Sequence, residues 1–218
     1  RIVSNAQRID TMSFSEAAEM ATFGAKVLHP ATLLPAVRSN IPVYVGSSKV
    51  PQDGGTWVTR NPQPRPTFRA IALRRDQTLL TLSSLNMLHA QGFLANIFTI
   101  LAKHKISVDT ITTSEVSVAL TLDKTGSASS GASLLSEELL RELSEFCTVK
   151  VDVGLSLIAL IGNELHTASG VAKRIFETLD AYNIRMISYG ASTNNICLLA
   201  DSDKADDIVR VLHRSLFE

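Results

Sequence analysis

The chain is poor in the residues that mark redox, metal and secreted proteins. It has only two cysteines, Cys147 and Cys197, in 218 residues. They are far apart and lack CxxC spacing, so they read as buried thiols rather than a disulfide or ligands. Five scattered histidines form no metal-binding spacing. Formal charge is balanced, with 21 basic and 21 acidic residues, which removes the electrostatic case for nucleic acid or anionic membrane as a partner. No apolar run approaches the roughly 18 residues of a membrane span, and Arg1-Ile2-Val3-Ser4-Asn5 lacks the apolar stretch of a signal peptide. A reducing cytoplasm is the expected compartment. Also missing are a P-loop, a GxGxxG turn and any Ser/His/Asp or Cys/His pairing arguable from spacing, so no catalytic residue is assigned. The missing initiator methionine leads us to expect a fragment or a processed product.

What the chain does have is 45% hydrophobic content and an internal repeat. Residues 92–123 align with 170–201 without a gap at an offset of 78. Gly92 matches Gly170, Ile97-Phe98 match Ile175-Phe176, Leu101 matches Leu179, Ile106 matches Ile184, Ser114 matches Ser192 and Asp123 matches Asp201. Where the first copy has Asp109 and Glu115, the second has Ile187 and Thr193. The copies share a scaffold, but only one keeps carboxylates at these positions.

Pro62, Pro64 and Pro66 make residues 61–67 a stiff linker, because each removes a backbone donor and extends its predecessor. Before it, Ser13 and Glu16 have capping-box spacing for a helix over Phe14 to Phe23, ended by Gly24. Pro30 can open a second helix running to about Ser39, followed by short strands at Ile41 to Val45 and Trp57-Val58. Sixty such residues make a poor independent core, so 1–60 reads as the end of a larger domain.

After the linker the pattern is strand Leu79 to Leu85, helix Gly92 to His104, strands Ile106 to Thr112 and Val116 to Leu122, helix Leu134 to Phe146 and strand Val149 to Val153. This is the βαββαβ order of a ferredoxin-like α/β unit. The second unit repeats it with strand Leu155 to Ile161, helix Gly170 to Tyr182, strands Ile184 to Tyr189 and Asn195 to Leu199, and helix Lys204 to Leu216. It lacks a last strand, while an extra one, Phe68 to Leu73, precedes unit one. We therefore expect two interleaved units: 79–153 inserted between 68–73 and 154–218.

Unit one carries the candidate site. A helix starting at Gly92 offers unpaired amides near Phe93 and Leu94 to a carboxylate, and Asp109 and Glu115 can each accept an ammonium. An anion socket and two carboxylates suit a dibasic amino acid such as L-lysine. In a bland reading Asp109 is a solvated strand end, Glu115 an exposed hairpin residue and Met87 core packing; the repeat comparison weighs against the first. Asp109 and Glu115 are separated by roughly 20 Å along extended backbone. One small ligand therefore calls for two copies of unit one about a two-fold axis, each ligand held by the helix of one chain and the strand of the other.

The stretch Glu16-Ala17-Ala18-Glu19-Met20-Ala21-Thr22-Phe23-Gly24-Ala25-Lys26-Val27-Leu28-His29-Pro30, with Ile41-Pro42-Val43 and Gly54-Gly55-Thr56, resembles the end of an amino acid kinase catalytic domain. Phe93-Leu94, Ile106-Ser107-Val108-Asp109 and Ile111-Thr112-Thr113-Ser114-Glu115-Val116-Ser117 resemble the tandem ACT domains of the lysine-sensitive bacterial aspartokinase III family. The resemblance implies feedback inhibition of aspartate phosphorylation by L-lysine at an ACT dimer interface. Its contacts would be Met87, Phe93, Leu94, Ser107, Val108, Asp109, Ser114 and Glu115. Ala90 stands where the family has serine. Lys26, Val27 and Arg1 would border the site of ATP, taken with Mg in the intact enzyme and not bound by these residues alone. The family's Lys-Phe-Gly-Gly-Thr-Ser segment is missing, so the 218 residues are expected to be inactive as a kinase. The implied partners are L-lysine, a second copy of the chain through unit one, and the chain's own kinase domain; further pairing into tetramers is left open. Two other readings stay open: an ACT-like assembly module with no effector, and a sensor for another amino acid such as threonine.

Overall fold

The computed structural model describes residues 2–24, 30–87, 91–122 and 135–218. Arg1, Lys26, Val27 and Ala90 therefore lie outside the described residues. The first segment holds strand β1 (Thr11–Ser13), helix α1 (Phe14–Thr22), helix α2 (Pro30–Ser39) and strands β2 (Val43–Gly46) and β3 (Gly55–Thr59). Its sheet has the order β1-β3-β2, and β1 was not anticipated from sequence. The expected capping box starts α1: Ser13 Oγ accepts from the Glu16 amide at 3.1 Å and Glu16 Oε2 accepts from the Ser13 amide at 2.6 Å. Met12, Phe14, Ala17, Leu33 and Val58 form a small core, while Leu34, Ile41, Tyr44 and Trp57 stay exposed.

Beyond the linker, one antiparallel sheet of six strands has the order β5-β6-β4-β7-β9-β8. Its two central strands are long, β4 covering Phe68–Ser83 and β7 covering Thr148–Gly162. The flanking strands are β5 (Val108–Thr113), β6 (Ser117–Leu122), β8 (Ile184–Ser188) and β9 (Asn195–Asp201). Each long strand serves both units. Phe68 to Leu73 pairs with Gly162 to Ile158, completing unit two, and Leu79 to Ser83 pairs with Asp152 to Thr148 in unit one. The sequence reading placed two strands in each of these stretches. Each is instead one strand with a local irregularity, at Arg74–Gln77 in β4, where Asp76 has φ 58°, and at Gly154 in β7, with φ 74°.

Helices α3 (Phe93–Lys103), α4 (Glu137–Ser144), α5 (Val171–Thr178) and α6 (Ala205–Phe217) pack on the sheet. They are shorter at most ends than expected, because caps intervene: Ser136 Oγ accepts from the Leu139 amide and so starts α4. The repeat is visible in the backbone. Gly92 and Gly170 precede α3 and α5 with φ of 83° and 81°, a left-handed turn that glycine adopts without strain.

Three apolar clusters hold this part together. Leu80, Leu82, Leu120 and Leu122 pack under Ile97, Leu101, Leu139 and Leu143 in unit one. Ile158, Leu160, Ile196 and Leu198 pack under Ile175, Ile208 and Leu212 in unit two. On the opposite sheet face, Leu79, Leu155, Leu157, Ala159, Ile161, Met186 and Leu199 meet Met20 of α1 and Phe23, which caps it. The sheet curls far enough that its edges touch: Thr112 Oγ1 in β5 donates to the Ile187 carbonyl in β8 at 3.2 Å.

Candidate functional site

Strand register divides the predicted site residues of unit one into two groups. Thr113 opposes Val118 and Ser83 opposes Ser117, so the Ser114-Glu115 turn lies where β4 exits toward Met87 and the start of α3. Val108 opposes Leu122, which opposes Thr78, so Ser107, Val108 and Asp109 lie at the other end. The interval Val108 to Thr113 is roughly 17 Å of extended chain. One protomer brings Met87, Phe93, Leu94, Ser114 and Glu115 to one end and keeps the Ser107–Asp109 group apart.

At the first end, α3 has no side-chain cap, and its earliest intrahelical bond runs from the Asn96 amide to the Gly92 carbonyl at 3.0 Å. The amides of its first turn have no carbonyl inside the helix to bond and carry the positive end of the helix dipole. The Phe93 ring is not a ligand surface. It is buried and meets Phe146 edge-on with centroids 5.6 Å apart, so only its backbone can serve a bound anion. Leu94 is exposed, as is Glu115. The Ser114 hydroxyl shapes the turn, accepting from the Ser117 amide at 3.1 Å and sharing a 2.7 Å hydrogen bond with Ser117 Oγ.

At the second end Asp109 is already engaged. Its Oδ2 lies 2.7 Å from Arg74 Nη1. The same guanidinium donates through Nη2 to the carbonyl of Thr22, at the end of α1. Cys197 of β9 is buried nearby: burial pushes its thiol up to about 12, with Glu19 and Asp109 adding to the rise and Arg74 opposing it. This thiol is structural.

Sequence reasoning missed Arg74, because Arg74-Arg75-Asp76 reads as a polar break between two strands. No local signal could have kept it inside one strand, because Ala70 to Leu73 is apolar throughout and Arg74 to Thr78 polar throughout. Glu19 was missed as well. In unit two the turn equivalent to Ser114 is Ser192, whose hydroxyl donates to Glu19 Oε1 at 2.8 Å, while Asn195 Nδ2 donates to Glu19 Oε2 at 2.8 Å. The second copy of the turn thus grips α1.

Residues 158–216, within unit two, match the ACT domain model, and residues 1–47 match the amino acid kinase family. All 218 residues align at 64% identity with lysine-sensitive aspartokinase 3 of Escherichia coli (strain K12), covering 49% of that protein. The chain belongs to the aspartokinase family. It spans about half the length of the curated aspartokinases it matches. The crystal structure of E. coli aspartokinase III with aspartate and ADP, in the R-state, superposes on the whole chain at a TM-score of 0.92 and 64% identity, with 49% of that chain covered. The complex of that aspartokinase with lysine and aspartate, in the T-state, does so at 0.90 and 63%, with 48% covered. Unit one has the strand order and helix placement of the matched ACT unit, with the carboxylate Asp109 where unit two has Ile187. Among the described residues no helix of this aspartokinase segment is long and apolar enough to cross a membrane.

Proposed function

We propose that this chain is the regulatory region of an aspartate kinase, which phosphorylates L-aspartate to 4-phospho-L-aspartate with ATP and Mg, and that L-lysine bound by unit one inhibits that reaction. The division is 1–60 as the end of the kinase domain, 61–67 as linker, 79–153 as the effector-binding ACT unit, and 68–73 with 154–218 as the second. Arg1, Lys26 and Val27 border ATP in the intact enzyme. The observation that carries the reading is the separation of complementary charges along one strand, in a chain 64% identical throughout to a lysine-sensitive relative. The α3 amides, with Met87, Phe93 and Leu94 around them, suit the ligand carboxylate; Asp109, with Ser107 and Val108, suits an ammonium; Ser114 and Glu115 close the site, and Ala90 is a further contact by family resemblance. A span of roughly 17 Å exceeds one lysine, so two copies pair about a two-fold axis and each ligand bridges them.

Calorimetric titration of the purified chain with lysine, threonine and methionine tests this. Lysine alone should bind, and Asp109→Ala should abolish binding while far-UV circular dichroism stays native. Unchanged lysine affinity in Asp109→Ala would sink the site assignment, and no binding of any amino acid would favour an assembly-only module. The chain alone should not phosphorylate aspartate.

A further inference from the structure

We propose that Arg74 is an internal competitor for the effector ammonium and the residue that reports effector binding to α1. The inference rests on the lysine reading above and adds a residue and a direction to it.

Arg74 stands between the two units and α1. It occupies the irregular middle of β4, one of the two strands common to both units, at the point where pairing with β7 shifts register. From there its guanidinium reaches, among its contacts, acceptors on two other parts of the molecule: Asp109 on β5 of unit one and the Thr22 carbonyl on α1. The last carbonyls of a helix lack intrahelical donors, and α1 has no basic residue in its own last turn, so Arg74 supplies the cation that the negative end of that dipole favours. The Asp109 side chain is about one-fifth exposed, although the residue as a whole is exposed, so its carboxylate is partly shielded.

A lysine ammonium arriving at Asp109 meets a carboxylate already paired with a guanidinium, and the two cations repel. Effector and Arg74 compete for this carboxylate, and the effector displaces the guanidinium from it. Binding frees the guanidinium, and the orientation that also served Thr22 is no longer fixed by the ion pair. An effector shifts an equilibrium only by its differential affinity for the two states, and here the difference is localised: one carboxylate with two alternative cations. Occupancy by Arg74 lowers the fraction of chains ready for effector, and so weakens apparent affinity by that fraction.

The test joins calorimetric lysine titration of the wild-type chain, Arg74→Met and Arg74→Lys with hydrogen–deuterium exchange of residues 16–24. Competition predicts that Arg74→Met binds lysine at least threefold more tightly. It further predicts that the last turn of α1 exchanges faster in lysine-saturated wild type than in free wild type, and that Arg74→Met shows the saturated rate with or without lysine. Arg74→Lys, which keeps a cation but lacks the spread fork of a guanidinium, should lose the α1 response while binding less tightly than Arg74→Met. Equal or weaker lysine binding by both variants, or wild-type binding with unaltered α1 exchange, would overturn the relay and leave the lysine site standing. Failure of the wild type to bind lysine would remove the functional reading and this inference with it.

Discussion

At the scale of single residues, the ion pair with most structural consequence is Glu16–Arg69. The Glu16 side chain is fully buried and Arg69 is 10% exposed, with 2.8 Å between Oε1 and Nε. Asn163 Nδ2 donates to the same oxygen at 2.8 Å, so one carboxylate ties α1 to the start of β4 and the end of β7. Burial alone raises the Glu16 pKa, but hydrogen bonds from Arg69, the Ser13 backbone, Asn163 and the Ser13 hydroxyl outweigh it, and the net shift is downward from 4.5. A carboxyl depressed in the folded state contributes stability above its unfolded value, and that contribution is lost as pH falls through the folded value. Thermal melts between pH 6 and 3 should therefore fall more steeply for wild type than for Glu16→Gln. Glu16→Ala, which strands a guanidinium and an amide, should cost about 3 kcal/mol in urea unfolding. The capping half of this network was legible in the Ser13/Glu16 spacing. Its other half was not, because Arg69 and Asn163 lie 53 and 147 residues away and nothing local marks them as partners.

At the scale of elements, what was legible was periodicity and punctuation. Apolar spacing and the glycines found α3 and α5; the run Phe68 to Leu73, expected to supply the missing edge strand of unit two, pairs with β7. What was not legible was that Arg74-Arg75-Asp76 and Gly154 bend strands instead of ending them. Those residues carry the turn chemistry of a break, and only the neighbouring strands, which go on pairing across the irregularity, decide otherwise. The two glycines of β7 make different predictions. At Gly154 a Cβ would meet nothing, so Gly154→Ala pays only for the left-handed backbone, about 1–2 kcal/mol. At Gly162 a Cβ would overlap the Thr67 carbonyl oxygen, where the linker enters β4, so Gly162→Ala must shift backbone and should be the more destabilising. Thermal unfolding of both variants checks the order; a milder Gly162→Ala would mean that the linker yields more freely than this packing implies.

At the scale of the whole molecule, the interleaving governs how the chain opens. Neither unit can lose its central pairing without breaking a strand that continues into the other, and the third apolar cluster draws on both units and on α1. The repeat therefore does not confer independence, as a simple tandem would, but couples two similar units with different surroundings: Ser192 grips Glu19, while Ser114 and Asp109 face the proposed effector. Native-state hydrogen exchange should show the amides of Leu80, Leu82, Leu157 and Leu160 opening with one common free energy and the same denaturant dependence, since all sit in β4 or β7. Edge amides in β5 and β8 should open below it. Saturating lysine at one hundred times its Kd should raise the common value by about 2.7 kcal/mol if binding is to the native state alone, in unit two as much as in unit one. A rise confined to unit one would show that the shared strands do not carry the coupling, and the effector would then act on a local unit rather than on the whole fold.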